Sequence, residues 1–265
     1  MAEETPAEGR ITTGRDGAIF LIGIDRPKKL NGFSLKMYRE LVAAFTALEK
    51  DDSVRVGLLY AHGANFTAGL QLDQFAPLMA KGEAAAPEGG IDPFSLCEPL
   101  RTKPVVCAVQ GICFTLGIEL MLAQDIVIAA EDTRFAQIEV KRGIMPTGGA
   151  TIRFVERAGW GNAQRYLLTG DEFGPAEAFR LGFVQEVVPA GQQYERALSL
   201  ARTIAEQAPL AVRASLASSR RYLEKGPLGI KPEMEAVQRK LAQTADAAEG
   251  LQSFTERRKA KFTGK

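Results

Sequence analysis

Histidine is nearly missing from this chain of 265 residues, with His62 the single example. That scarcity removes the HExxH zinc arrangement, and His62 beside three scattered cysteines makes a poor zinc set. His62 reads instead as a loop residue near a strand end. Cysteine is sparse as well: Cys97, Cys107 and Cys113 cannot all pair and form no CxxC clamp. Reduced thiols in a cytoplasmic protein are the simpler expectation. No run approaches the roughly 20 apolar residues that cross a bilayer, and the acidic start MAEETPAEGR lacks an apolar leader core, which argues against membrane insertion and secretion. Charge of one sign is also lacking. Lys plus Arg number 33 against 32 for Asp plus Glu, a net charge of +1, so no global field favours nucleic acid or an anionic membrane. No GxGxxG loop, Walker A loop or GxSxG elbow occurs.

What is present is ordinary globular material, 46% hydrophobic and 25% charged, in a length that suits one main core with an appended helical part. We divide it at residues 1–200 and 201–265. Alternation from Ile11 to Ile24 around Gly14, Arg15, Asp16 and Gly17 predicts a β-hairpin. Ser34 then offers a cap, and Leu35, Tyr38, Leu41, Val42, Phe45 and Leu48 recur at helical spacing to about Lys50. A strand at Val54 to Ala61 is followed by Gly63 and a turn into a helix through AGLQLDQF. The order repeats with a strand at Pro104 to Val109, a turn from Gly111 to Gly117, a helix through Gln124 and a strand from Asp125 to Ala130. Between the two units, KGEAAAPEGG at 81–90 reads as a mobile loop, a lid or a linker. After Pro146, Gly148 and Gly149 the chain reads as mostly helical, with helices at Tyr194 to Gln207, Leu210 to Lys225 and Gly250 to Phe262. Strands first and helices last place the chain in the α/β class.

Two glutamates stand in apolar surroundings where a carboxylate is costly unless something holds or uses it. Glu119 lies in GIELMLAQD and Glu139 in FAQIEVKRG, on separate elements, so the two can converge on one pocket and divide acid and base work beside a carbonyl. Each has a plainer reading. Glu119 near a helix start is favoured by the dipole alone, and Lys141 and Arg142 offer Glu139 a surface ion pair. The turns Ala68-Gly69-Leu70 and Thr115-Leu116-Gly117 sit at strand-to-helix junctions whose free N–H groups can meet a developing oxyanion, or the glycines can serve turn geometry only. The basic run Arg257, Arg258, Lys259, Lys261 and Lys265 is either a solvated face or, with Lys28 and Lys29, a source of cations for a phosphorylated ligand.

These motifs, taken in order, resemble those of the crotonase superfamily, the enoyl-CoA hydratase and isomerase family. IDRPKKLNGFS at 24–34, NFTAGLQL at 65–72, PVVCAVQGICFTLGIELMLAQDIVIAA at 104–130, FAQIEVKRGIMPTGGAT at 135–151 and FTERRKAKF at 254–262 carry the likeness. It implies a spiral of ββα units with a C-terminal helical trimerisation region, and a homotrimer or hexamer. It implies Glu119 and Glu139 as the catalytic pair, and Leu70 and Leu116 N–H groups as the oxyanion hole. Coenzyme A, part of the substrate rather than a cofactor, would meet Lys28, Ala68 and Leu70, with Phe254 and Arg257 arriving from a neighbouring subunit. The activity implied is reversible syn hydration of a 2-enoyl-CoA thioester, with double-bond isomerisation or another acyl-CoA reaction as the alternative, and an acyl-CoA-binding protein without catalysis as a further one. No metal, redox cofactor, nucleic acid or membrane is implied. Thr115 and Leu116 replace two glycines of the usual run, Leu70 a small residue and Gln71 an aspartate, so bulk is expected beside the acyl site.

Overall fold

The structure is a computed structural model that describes residues 7–265, so the first six residues of the acidic start lie outside it. The hairpin pairs β1 (Arg10–Asp16) with β2 (Ile19–Asp25) antiparallel, turning at Gly17. α1 (Leu35–Lys50) begins where the Ser34 hydroxyl accepts the Met37 N–H at 3.2 Å, and it buries Met37, Leu41, Val42, Phe45 and Leu48. This is the periodic apolar face read from the sequence. β3 (Val56–Ala61) and α2 (Leu72–Lys81) complete the first unit, then β4 (Val105–Val109), β5 (Ile112–Phe114), α3 (Leu116–Leu122) and β6 (Ile126–Ala130) form the second. β7 (Arg134–Ala136), α4 (Ala150–Ala158), α5 (Trp160–Thr169), β8 (Glu172–Phe173), α6 (Pro175–Arg180) and β9 (Glu186–Val188) follow. α7 (Gln193–Ala205), α8 (Pro209–Leu241) and α9 (Ala245–Glu256) close the chain.

Two sheets result. The larger runs β1-β2-β3-β4-β6-β9 and is parallel except at the hairpin, while the smaller runs β5-β7-β8. β4 is buried along its whole length because both faces are covered. Val106 and Ala108 pack beneath Ala197, Leu198 and Ala201 of α7, and Val105, Cys107 and Val109 face the main core with α1 and α3. The expected α/β spiral with C-terminal helices is present.

Several boundaries differ from the sequence reading. The segment read as a turn between Gly111 and Gly117 contains β5, which pairs with β7 in the second sheet. β7, β8 and β9 are two or three residues long, too short for alternation to show. α8 continues to Leu241 past a break at Gly226, whose φ of 66° only glycine adopts easily. The last helix starts five residues earlier than Gly250 and stops at Glu256, where Arg257 turns left-handed with φ of 54°. Among the described residues no helix is long and apolar enough to cross a membrane.

Candidate active site

Glu119 sits on α3, every residue of which is buried. Its Oε1 accepts the Ala150 N–H at 3.2 Å, so the start of α4 reaches back to hold it. Gly148 is required by closeness rather than by conformation: a Cβ there would stand 2.7 Å from Glu119 Oε2. Burial raises the Glu119 pKa above its ordinary value, and the Ala150 and Gly148 N–H groups and the Arg153 charge work against that rise.

Glu139 opens the short 3-10 turn Glu139–Arg142 and is 8% exposed. Gln137 Nε2 donates to its Oε1 at 2.9 Å, while Oε2 is buried with no hydrogen-bond partner among the described residues. Burial first, and then the charge of Glu119, push its pKa up to about 7. Lys141 and Arg142 are exposed and form no ion pair with it, so the plainer sequence reading fails here. Arg142 borders the same cleft without pairing; the partner that matters, Gln137, lies two residues upstream.

The two junction turns lie side by side. Thr67 pairs with Cys113 and Phe33 with Leu70 in isolated bridges, which spend the N–H groups of Thr67, Phe114, Phe33 and Gln71. Neither the Leu70 nor the Leu116 N–H has a hydrogen-bond acceptor among the described residues. Gly69, at φ of 104°, packs so closely that a Cβ would meet Thr115 Oγ1 at 2.1 Å. Thr115 itself has φ of 52° and ψ of −118°, an outlying conformation for a β-branched residue, with its N–H donated to Ala136 O at 2.9 Å. A cleft of about 220 Å³ is bordered by Leu70, Thr115, Leu116, Glu119 and Glu139 together. It thus joins two carboxyls to two unspent backbone donors, the parts that proton transfer beside a carbonyl needs.

Comparison with known proteins bears on this arrangement. Residues 14–265 match the family model described as enoyl-CoA hydratase/isomerase. The chain belongs to that family. Among its relatives, enoyl-CoA hydratase EchA19 of Mycobacterium tuberculosis is 32% identical over 258 residues, covering 94% of each chain. The 1,2-epoxyphenylacetyl-CoA isomerase of Escherichia coli is 30% identical over 254 residues, covering 93% of this chain and 95% of that one. The crystal structure of a probable enoyl-CoA hydratase/isomerase from Mycobacterium abscessus superposes with a TM-score of 0.93 at 45% identity, covering 96% of this chain and 98% of that one. The enoyl-CoA hydratase/isomerase family therefore spans more than one reaction on this frame.

The remaining sequence candidates divide into those that border or adjoin a cleft and those that do not. Ala68 and Leu70 also border a second cleft whose cations are Arg26 and Lys29, while Lys28 is exposed on the same turn. Arg26 was not anticipated from the sequence; its Nη1 donates to Gln71 Oε1 at 2.8 Å and to Gly32 O at 2.9 Å. Phe254 is 83% exposed on α9, and neither it nor Arg257 lines these two clefts. Much of the basic C-terminus is ion-paired: Arg258 with Glu249 at 2.6 Å and Lys259 with Glu206 at 2.6 Å. Gln137 and Gly148 were also missed as site residues, whereas Thr115 was read as part of a junction turn. Thr115 carried a signal, a branched side chain where a glycine was expected.

Proposed function

We propose that this enzyme adds water reversibly, in syn fashion, to a 2-enoyl-CoA thioester. The observation that carries the reading is two carboxyls and two free backbone donors in one cleft, with Glu139, pushed up to about 7 and with an unpartnered oxygen, serving as the acid and Glu119, which accepts the Ala150 N–H with Arg153 nearby, as the base. In this scheme the Leu70 and Leu116 N–H groups hold the thioester oxygen as negative charge gathers on it. Ionised Glu119 takes a proton from water while the water oxygen bonds to the β-carbon, and Glu139 delivers its proton to the α-carbon. Glu119 ends protonated and Glu139 ionised, and exchange of a proton through solvent resets the pair. The addition is redox-neutral.

Coenzyme A on this reading lies along Ala68 and Leu70 with its phosphates toward Lys28, Lys29 and Arg26. Phe254 and Arg257 serve the same ligand from a neighbouring copy in a homotrimer or hexamer. Isomerisation of a 3-enoyl thioester uses one acid and the same oxyanion donors, so Glu119 is the discriminating residue. The test follows loss of enoyl-thioester absorbance with crotonyl-CoA and a longer 2-enoyl-CoA for wild type, Glu119→Gln and Glu139→Gln. Hydration requires each variant to lose about 10² to 10⁴ in kcat. A Glu119→Gln variant that still converts 3-enoyl to 2-enoyl thioesters at the wild-type rate would replace hydration with isomerisation.

A further inference from the structure

Three cavities adjoin at Leu70, which borders all of them. The basic cleft with Arg26 and Lys29 shares Ala68 and Leu70 with the cleft that holds the glutamates. That cleft in turn shares Leu70, Met79, Leu116, Glu119 and Thr147 with a third cavity of about 640 Å³. The third cavity lies between α1, α2 and the segment 84–98, and neither Arg26 nor Lys29 lines it. Its wall carries Tyr38, Val42, Phe75 and Phe94, with the Tyr38 ring stacked on Phe94 at 6.0 Å and edge-on to Phe75 at 5.7 Å. Burial, and then the charge of Asp92, push the Tyr38 pKa up to about 12, so its hydroxyl stays uncharged, while Glu88, Asp92 and Glu98 border the cavity as acids.

The loop read as a lid or a linker forms part of this wall. Arg39 Nε donates to Ala85 O at 3.1 Å and the Ile91 N–H to Thr46 Oγ1 at 2.9 Å, which fasten its middle and the residue just beyond it to α1. A ligand with phosphates at the basic cleft and its carbonyl between the Leu70 and Leu116 N–H groups has two apolar surfaces for the carbons beyond its double bond, the wall of Ile138, Ile144 and Met145 and the adjoining cavity. The cavity is the larger of the two and carries the aromatic rings. Its volume falls in the range that whole drug-sized ligands fill, and a four-carbon acyl group would leave most of it unused.

Resting on the hydratase reading above, we propose that the substrate is a 2-enoyl-CoA whose acyl group is large and apolar, extending well past four carbons into the cavity lined by Tyr38, Phe75 and Phe94. Each buried methylene strengthens binding by about three- to fourfold, so selectivity grows with chain length until the cavity is full.

The experiment measures kcat/KM for crotonyl-CoA, straight-chain 2-decenoyl-CoA and ring-bearing cinnamoyl-CoA with wild type, Ala86→Trp and Leu96→Trp. Both wedges line the third cavity and neither touches the glutamate cleft. The inference requires decenoyl or cinnamoyl to exceed crotonyl by at least about tenfold. It also requires at least one folded wedge variant to remove that advantage while crotonyl stays within about twofold. Decenoyl alone in front assigns a straight chain and cinnamoyl alone a ring, and either result supports the cavity. Crotonyl equal or better, or wedges that slow all three alike, overturns it. If no thioester is hydrated, the hydratase reading has failed. Calorimetry with butyryl-CoA and decanoyl-CoA then decides the cavity by itself: tighter decanoyl binding that the wedges abolish upholds it, and equal affinities refute it.

Discussion

Glu119 and Glu139 share a residue type, a cleft and deep burial, yet their surroundings separate them. Around Glu119 the chain supplies the Ala150 N–H, a Gly148 backbone with no side chain in the way, and the positive Arg153. Around Glu139 it supplies one amide from Gln137, leaves Oε2 without a partner, and adds the repulsion of Glu119 itself. Environment rather than residue type therefore sets how each carboxyl holds its proton. The two titrate as a coupled pair, so a change at one is felt at the other.

The comparison breaks most severely when one partner's charge is removed. Glu119→Gln is expected to lower kcat by about 10² to 10⁴ and also to shift the Glu139 titration downward from about 7, since a repelling neighbour is gone. Following the carboxyl stretch of Glu139 against pH in an otherwise intact protein checks this, and an unmoved titration would refute the coupling. A smaller but more pointed change is Gly148→Ala. The new methyl would press on Glu119 Oε2 and Cδ, at 2.7 and 2.9 Å, and the flexible carboxylate end yields. Misplacement of that order costs about 10² in kcat with little change in Tm, and equal losses in activity and stability would instead mean a packing defect.

How much of this was legible in advance differs along the chain. α1 was readable because six apolar positions recur at helical spacing behind a capping serine, and β4 because an all-apolar run suits a strand covered on both faces. Both glutamates were readable as carboxylates in apolar company. What holds them was not, since the Ala150 N–H lies 31 residues from Glu119 and only folding brings it near. β5 was lost inside a presumed turn because three residues of strand carry no period. Lys141 and Arg142 misled because sequence adjacency to Glu139 does not survive the turn, which directs the carboxyl inward and leaves both cations exposed.

Stability against pH sharpens the same contrast. A carboxyl raised from near 4.5 to about 7 means that the folded state binds its proton more tightly than the unfolded one. Below the ordinary value both states are protonated and burial of Glu139 carries no ionisation penalty. As pH rises from there to about 7 the unfolded chain ionises first and the fold loses stability, and above about 7 the full penalty stands. Glu139→Gln removes the titration. The variant should match wild type near pH 4 and exceed it by about 3 kcal/mol above neutrality in urea unfolding. A constant gap at all pH values would show that the gain comes from packing.

The smallest effect is expected where the two junction turns touch. Thr115 holds φ of 52° against its own branched side chain, at a cost of about 1 to 3 kcal/mol, and its Oγ1 lies against Gly69, one residue from Leu70. Glycine adopts the same backbone freely but loses about 0.5 to 1 kcal/mol more chain entropy on folding. Thr115→Gly should therefore gain about 1 kcal/mol and raise Tm by about 2 to 4 °C, while freeing the Gly69 turn to shift relative to Leu116. Activity should move the other way, with kcat falling more than KM rises, because the two N–H groups would lose a fixed spacing that matters most when charge develops. Calorimetric melting beside steady-state kinetics decides the matter: a variant that melts lower would show that the threonine is unstrained, and one that melts higher at full activity would show that its contact with Gly69 does not set the donors.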